Sequence, residues 1–238
     1  MSFLLLSALA LAGDDHHDGH RDDHHGGHHA HEGGEHSHGH DDDATVTHSF
    51  ADAEAWAKVF DDPERAAWQK PAELVAALEL APGSTVADIG AGTGYFNPHL
   101  SGAVGDSGKV IAVDIEATLV EYMNQRAATE GTANVEVRLG APDDPKLAAG
   151  EASVVLLVDT YHHIDDRIAY FGRLLDTVSA GGRLVVVDFK PGDIPVGPPE
   201  AHRIPQEQVV TELVEAGWVD AGSLELLPYQ FVQIVRKP

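Results

Sequence analysis

The 238-residue chain contains no cysteine. That excludes disulfides, thiolate metal sites and a cysteine nucleophile. Positive charge is also scarce: 15 Lys and Arg stand against 39 Asp and Glu, a formal net charge of −24 at pH 7. Phosphate would be repelled by such a surface, which argues against nucleic acid as substrate and against an anionic membrane as partner. No long apolar run is present. The first twelve residues, MSFLLLSALALA, are apolar but too few to span a bilayer, so no stable membrane insertion is expected.

What is present divides the chain into three. Residues 1–13 read as a secretory signal peptide, with Ala10-Leu11-Ala12 as a small-x-small cleavage site, although no Lys or Arg follows Met1. This gives an expectation of export; the alternative is a cytoplasmic protein. Residues 14–44 are expected to be disordered, because they are built of His, Asp, Glu and Gly and offer almost nothing to a core. Eleven of the sixteen histidines lie there. His16, His17, His20, His24, His25, His28 and His29, interleaved with carboxylates, are candidate ligands for Zn²⁺, Ni²⁺ or Cu²⁺. A solvated polar spacer is the equally weighted alternative.

Residues 45–238 have globular composition. Apolar residues at helical spacing predict helices over Phe50–Phe60 and Pro63–Leu80, closed by Pro82-Gly83. Short apolar runs follow at Thr85–Ile89, Lys109–Val113, Val135–Leu139, Val154–Val158 and Arg183–Phe189, most of them separated by helical sequence. That alternation predicts a mostly parallel α/β sheet flanked by helices. Two last runs, Leu224–Leu227 and Gln230–Val235, are too close for a crossover helix and are expected to pair antiparallel at one end of the sheet.

The most informative stretch is Val86–Phe96, VADIGAGTGYF. A strand ending in Asp88 runs into Gly90, Ala91, Gly92 and Gly94. Glycine lets a backbone turn sharply and approach a ligand. A dinucleotide fingerprint would place its third glycine at position 95, which is Tyr; a phosphate loop would need Lys and Ser or Thr after its last glycine. The acidic residue before the glycines suits a ligand carrying an ammonium or sulfonium charge. Asp114, at the end of the second strand and followed by Ile115, is placed to accept from ribose hydroxyls, and Asp143 or Asp144 after the third strand to accept from an adenine amino group.

These residues resemble the glycine-rich signature and ribose-binding strand end of class I S-adenosylmethionine-dependent methyltransferases, especially the branch acting on small molecules and ubiquinone-type precursors. Val154–Ile164 and Gly181–Phe189 resemble the family's fourth and fifth strands. The resemblance implies a Rossmann-like seven-stranded sheet and S-adenosylmethionine as cofactor. It places Asp88, Gly90 and Gly92 around the methionine part, Asp114 at the ribose, Asp143 near the adenine and Asp159 near the sulfonium. It also implies a small-molecule methyl acceptor. His162 is the expected base, with a purely structural pair of His162 and His163 as the alternative. A further alternative makes Asp159, His162 and His163 ligands of a divalent metal. Asp188 and Lys190 and the Pro191–Pro205 loop with His202 are expected to border the acceptor, Asp188 being equally an ordinary strand-end charge. Trp56, Phe60 and Trp68 are candidates for the other wall, with simple docking of the N-terminal helices on the domain as the more common alternative. The rival from another class is a metal-binding protein with an inactive methyltransferase-like core. The sequence does not fix an oligomeric state.

Overall fold

The computed structural model describes residues 53–238. The expected signal peptide, the histidine-rich segment and its candidate metal ligands therefore lie outside the described residues.

Seven strands form one sheet in the order β3-β2-β1-β4-β5-β7-β6. They are β1 (Thr85–Ile89), β2 (Lys109–Asp114), β3 (Val135–Leu139), β4 (Ala152–Val158), β5 (Val178–Phe189), β6 (Val219–Leu224) and β7 (Gln230–Arg236). The first five are mutually parallel, and β7 runs antiparallel between β5 and β6. The expected Rossmann-like architecture is the one observed. Runs such as Val185-Val186-Val187 are apolar at successive positions because β5 is covered on both faces, as parallel strands usually are.

Helices α1 (Ala53–Phe60), α2 (Arg65–Gln69) and α3 (Pro71–Ala77) precede the sheet. Between and after the strands come α4 (Asn97–Val104), α5 (Ala117–Glu130), α6 (Arg167–Thr177) and α7 (Gln206–Glu215). One core joins Phe171 and Leu174 of α6 and Val209 and Leu213 of α7 to the sheet, with Trp218 beside them. The other joins Leu74 of α3 and Leu100 and Val104 of α4 to Val86, Val110 and Val185.

Two expectations need correction. The helix expected over Pro63–Leu80 is broken: Lys70 lies between α2 and α3 with φ +46. Pro71 is the cause, since a proline disfavours helical backbone in the residue before it. The strand expected at Leu224–Leu227 lies earlier, at Val219–Leu224, where a register shift around Asp220 and Ser223 interrupts its ladder with β7. Its residues are mostly exposed, so it lacks the apolar run by which buried strands announce themselves. The helix after the glycines starts at Asn97, three residues beyond Gly94.

Candidate active site

The strand order reverses between β1 and β4, and ligands of open α/β sheets bind beyond the carboxyl ends of strands at such a point. Asp88 is the penultimate residue of β1, Asp114 ends β2, and Asp159 follows β4. The structure brings these three predicted acids to one edge of the sheet.

Gly90, Gly92 and Gly94 all have positive φ, at +72, +58 and +78. A Cβ at Gly90 would overlap the Thr160 side chain; one at Gly92 would lie 3.4 Å from the Phe60 ring. The loop is thus a close-fitting cradle that a side chain would fill. The Gly92 N–H donates to Asp114 Oδ2 at 2.8 Å, and the Glu116 N–H donates to Asp114 Oδ1 at 3.0 Å. Asp114 therefore ties the second strand to the glycine loop.

The electrostatics are those of a site built for a cation. Burial, then the neighbouring Asp114, raises the pKa of Asp88 to about 7, and Arg65 works the other way. Burial likewise raises Asp114 against the pull of its backbone donors. It lifts Asp159 to about 6, opposed first by Arg65. Bringing a positive ligand group among these carboxyls would favour their ionised forms.

Beyond Asp114 the chain offers apolar surface. Ile115 is 53 % exposed and Leu139, the register partner of Asp114, is 51 % exposed. After β3 a turn is closed by the Ala141–Asp144 bridge. Asp144 is taken up by Lys146 at 2.5 Å, whereas the Asp143 side chain is exposed and its carbonyl accepts from Arg173. Of the two acids expected near an adenine, Asp143 is the one not engaged by a lysine. The exposed apolar ledge, the Asp114 carboxylate and the glycine cradle fit S-adenosylmethionine.

On the other side of Asp159, the turn Tyr161–His163 carries His162, which is buried with Asp188 of β5. His162 Nδ1 lies 2.9 and 3.0 Å from the two Asp188 oxygens. A carboxylate only accepts, so Nδ1 carries the proton and neutral His162 keeps its lone pair on Nε2. Burial alone would lower the His162 pKa; Asp188 outweighs it and the value is raised. His163 packs against His162 with ring centroids 4.2 Å apart. Among the described residues no group of His, Asp and Glu is arranged to hold a metal, so the metal reading of Asp159, His162 and His163 finds no support in the geometry. Its physical obstacle is that both Asp159 oxygens are already engaged, Oδ2 by Arg65 and Gln69 and Oδ1 by Gln230.

The helical prelude covers this edge. Trp56 stacks on Phe60 at 5.2 Å, and Asp61 accepts from Thr93 Oγ1 at 3.1 Å and from Arg126 at 2.9 Å. Trp68 lies 6.0 Å from Phe189 and 6.4 Å from Tyr229. The Pro191–Pro205 loop is laced by Arg203, which donates to the carbonyls of Pro198 and Gly192, both at 2.7 Å. Gly197 packs against the Phe189 ring, and His202 is half-buried. Lys190 donates to the Leu227 carbonyl at 3.0 Å, which ties the end of β5 to the approach to β7.

One cluster at the site was not foreseen. Arg65 and Gln69 of α2 reach Asp159 Oδ2 at 3.3 and 3.0 Å. Gln230 at the start of β7 donates to Asp159 Oδ1 and accepts from Gln69 at 3.0 Å. Gln69 and Gln230 are fully buried. The one trace in the sequence is Arg65 and Gln69 four residues apart on a short helix; nothing marks Gln230 as their partner.

Residues 86–182 match the model of a family described as a methyltransferase domain. Among curated proteins, the chain is 28% identical over 109 residues to an arsenite methyltransferase of Halobacterium salinarum, covering 46% of this chain and 28% of that protein. It is 25% identical over 114 residues to a demethylmenaquinone methyltransferase of Lactococcus lactis, covering 48% and 45%. The chain thus spans less than half the length of these curated relatives. A crystal structure of a methyltransferase dependent on S-adenosylmethionine from Aquifex aeolicus superposes with a TM-score of 0.74 at 26% identity, over 77% of this chain and 98% of that one.

Proposed function

Because the chain belongs to the class I S-adenosylmethionine-dependent methyltransferases, we propose that it transfers a methyl group from S-adenosylmethionine to a small organic acceptor. The observation that carries this reading is the Asp114 carboxylate bonded to Gly92 of the glycine cradle, with buried Asp88 alongside. When bound, S-adenosylmethionine supplies an electrophilic methyl group on a positively charged sulfur.

In this reading Asp114 accepts from the ribose hydroxyls, Ile115 and Asp143 border the adenine, and Asp88 balances the ammonium. Ala91 and the three glycines keep the backbone close to the methionine part. Asp159 stands nearest the developing charge change. His162, oriented by Asp188, takes the acceptor's proton at Nε2. Arranging these groups and excluding water are the protein's main contributions to an in-line displacement.

A built-in base favours an acceptor that must lose a proton before or during attack: a hydroxyl, or a carbon acid such as a hydroquinone-type ring. The demethylmenaquinone methyltransferase among the relatives accords with that class. Arsenite is less suited to a chain without cysteine thiols. The chain's acidity speaks against nucleic acid as the acceptor. Incubation with methyl-labelled S-adenosylmethionine and a panel of phenols, hydroquinones, amines and thiols tests the reading. Label should enter hydroxyl or ring-carbon acceptors; transfer that His162→Ala leaves unchanged would remove the role given to His162.

The histidine-rich segment supports a second, separate property. His16 to His29 would bind Zn²⁺, Ni²⁺ or Cu²⁺, less tightly below about pH 6.5, where imidazole protonates. Deleting residues 14–43 should remove most metal binding and leave the thermal transition of the rest unchanged. Export by residues 1–13 stands on the sequence alone, and N-terminal sequencing of the mature protein tests it.

A further inference from the structure

The cluster around Asp159 has no counterpart in the roles so far assigned. Arg65 opens α2 and is 13 % exposed. Its guanidinium lies 4.4 Å over the Tyr95 ring, donates to the Phe60 carbonyl at 2.7 Å, bonds Gln69 and pairs with Asp159 at 3.3 Å. Tyr95 follows directly on the glycine cradle, and Phe60 covers Gly92. The guanidinium thus sits between the methionine end of the cleft and the end of β4. Its pairing with Asp159 is the longest of its direct polar contacts, and Asp159 retains Gln69 and Gln230 as donors without it.

We propose that Arg65 is a built-in counter-ion for Asp159 that tunes discrimination between the charged methyl donor and its neutral product. This inference rests on the methyltransferase reading. Arg65 supplies positive charge that the carboxyls at this edge call for. Arg65 gives up its hold on Asp159 when a sulfonium takes its place. It returns after transfer, in which the acceptor's lone pair forms the new bond to the methyl carbon. The C–S electron pair stays on sulfur, leaving a neutral thioether, and the acceptor's proton goes to His162. The return of Arg65 to Asp159 then weakens the product's hold on the site. The arrangement is consistent with the electrostatics of both partners: burial disfavours the charged guanidinium and Asp159 is the first group to favour it, while Arg65 is the first to favour the ionised Asp159.

The two Gln side chains have a matching part. They hold Asp159, which is in left-handed backbone conformation at φ +56, in one orientation whichever cation faces it. Gln69 and Gln230 are positioning residues in this account. Arg65 sets specificity.

The test is calorimetric titration of the full chain and of Arg65→Gln and Arg65→Lys with S-adenosylmethionine and S-adenosylhomocysteine. Removing one positive charge near the sulfonium should raise the preference for S-adenosylmethionine over S-adenosylhomocysteine about tenfold in Arg65→Gln. Arg65→Lys, which keeps the charge, should keep a ratio close to that of the parent. A proportionate loss of affinity for both ligands in Arg65→Gln would make Arg65 a ligand of their shared carboxylate and overturn the proposal. An unchanged ratio with unchanged affinities would make it a structural strut, with the same consequence. If no version binds either ligand, the methyltransferase reading itself fails and the proposal falls with it. Should Arg65→Gln not fold, the Arg65→Lys ratio still decides: a shift away from the parent value contradicts a role that depends on charge alone.

Discussion

His162 Nδ1 and Asp188 Oδ2 meet at 2.9 Å in a part of the cleft where both side chains are buried. The contact joins the turn after β4 to the end of β5, two adjacent parallel strands, and it fixes the tautomer of the imidazole. Asp188 also receives the Phe189 N–H at 2.8 Å, so the carboxylate that orients His162 is itself held.

Asp188→Asn should disable this base without emptying the cofactor site. The raised His162 pKa depends on Asp188, so the acid limb of the turnover profile should move to lower pH. Turnover at neutral pH should fall on the order of a hundredfold to ten-thousandfold, the usual range for losing general-base assistance. Affinity for S-adenosylhomocysteine should stay within about threefold, since no cofactor contact is assigned to this pair. An unaltered pH profile would leave the pair with a purely structural role. The pair also has a signature in stability. A histidine whose folded pKa is raised stabilises the fold fully below its unfolded pKa, near 6.5, and that contribution fades as pH rises through the folded value. Melting of Asp188→Asn should therefore lose ground to the parent most at pH 5–6 and less at pH 8.

Asp88 gives the cleft its own pH dependence. The native carboxyl takes up a proton near pH 7, against 3.8 for an unperturbed one. A raised carboxyl pKa favours the folded state at low pH, and this advantage is lost as pH rises through 7. A bound ammonium favours the ionised form, so binding of S-adenosylmethionine should release a proton between pH 6 and 7 and tighten as pH increases. Titration at pH 6.5 in two buffers of different ionisation heat measures the protons released. Asp88→Asn should release fewer. Equal heats in both buffers for the parent would remove Asp88 from the ligand's surroundings.

Asp114→Ala removes the acceptor of the Gly92 and Glu116 N–H groups together with the proposed ribose contact. Charged hydrogen bonds contribute about 1.5–3 kcal/mol each. Affinity for S-adenosylhomocysteine should fall by at least about a hundredfold, given two ribose hydroxyls. Affinity within a few-fold of the parent would refute the ribose assignment.

Gly90→Ala tests the cradle by strain. At φ +72 a Cβ is disfavoured, and the new methyl group would overlap Thr160. The two effects together should cost about 3 kcal/mol of stability. Thr160→Gly should recover part of that loss in a double-mutant cycle by removing the overlap but not the backbone strain. Purely additive losses would place Thr160 elsewhere than against Gly90.

Much of this architecture was legible in the chain. Thr85–Ile89 and Val135–Leu139 are strands at the bounds the sequence suggests: β1 is buried from Val86 to Ile89, and the edge strand β3 alternates Val135, Val137 and Leu139 with Glu136 and Arg138. Asp88, the three glycines and Asp114 could be read because their chemistry is local: a strand end, a turn that needs positive φ, and a second strand end about twenty residues on. What escaped is non-local. Gln230 meets Gln69 across 161 positions, and Arg65 meets Asp159 across 94. No spacing rule connects residues brought together only by packing of α2 against the ends of β4 and β7. The break at Lys70 was signalled by Pro71, and the helical spacing of Leu74, Val75 and Leu78 belongs to α3 and its C-cap alone. Strand β6 went unread because an exposed edge strand has no apolar stripe.

The central claim is that this edge of the sheet holds a cationic methyl donor, and the most direct measurement is calorimetric titration of the purified chain with S-adenosylmethionine, S-adenosylhomocysteine and NAD. Micromolar binding of the first two, with none of NAD, is the predicted result. Binding of NAD, or of none of the three, would contradict it.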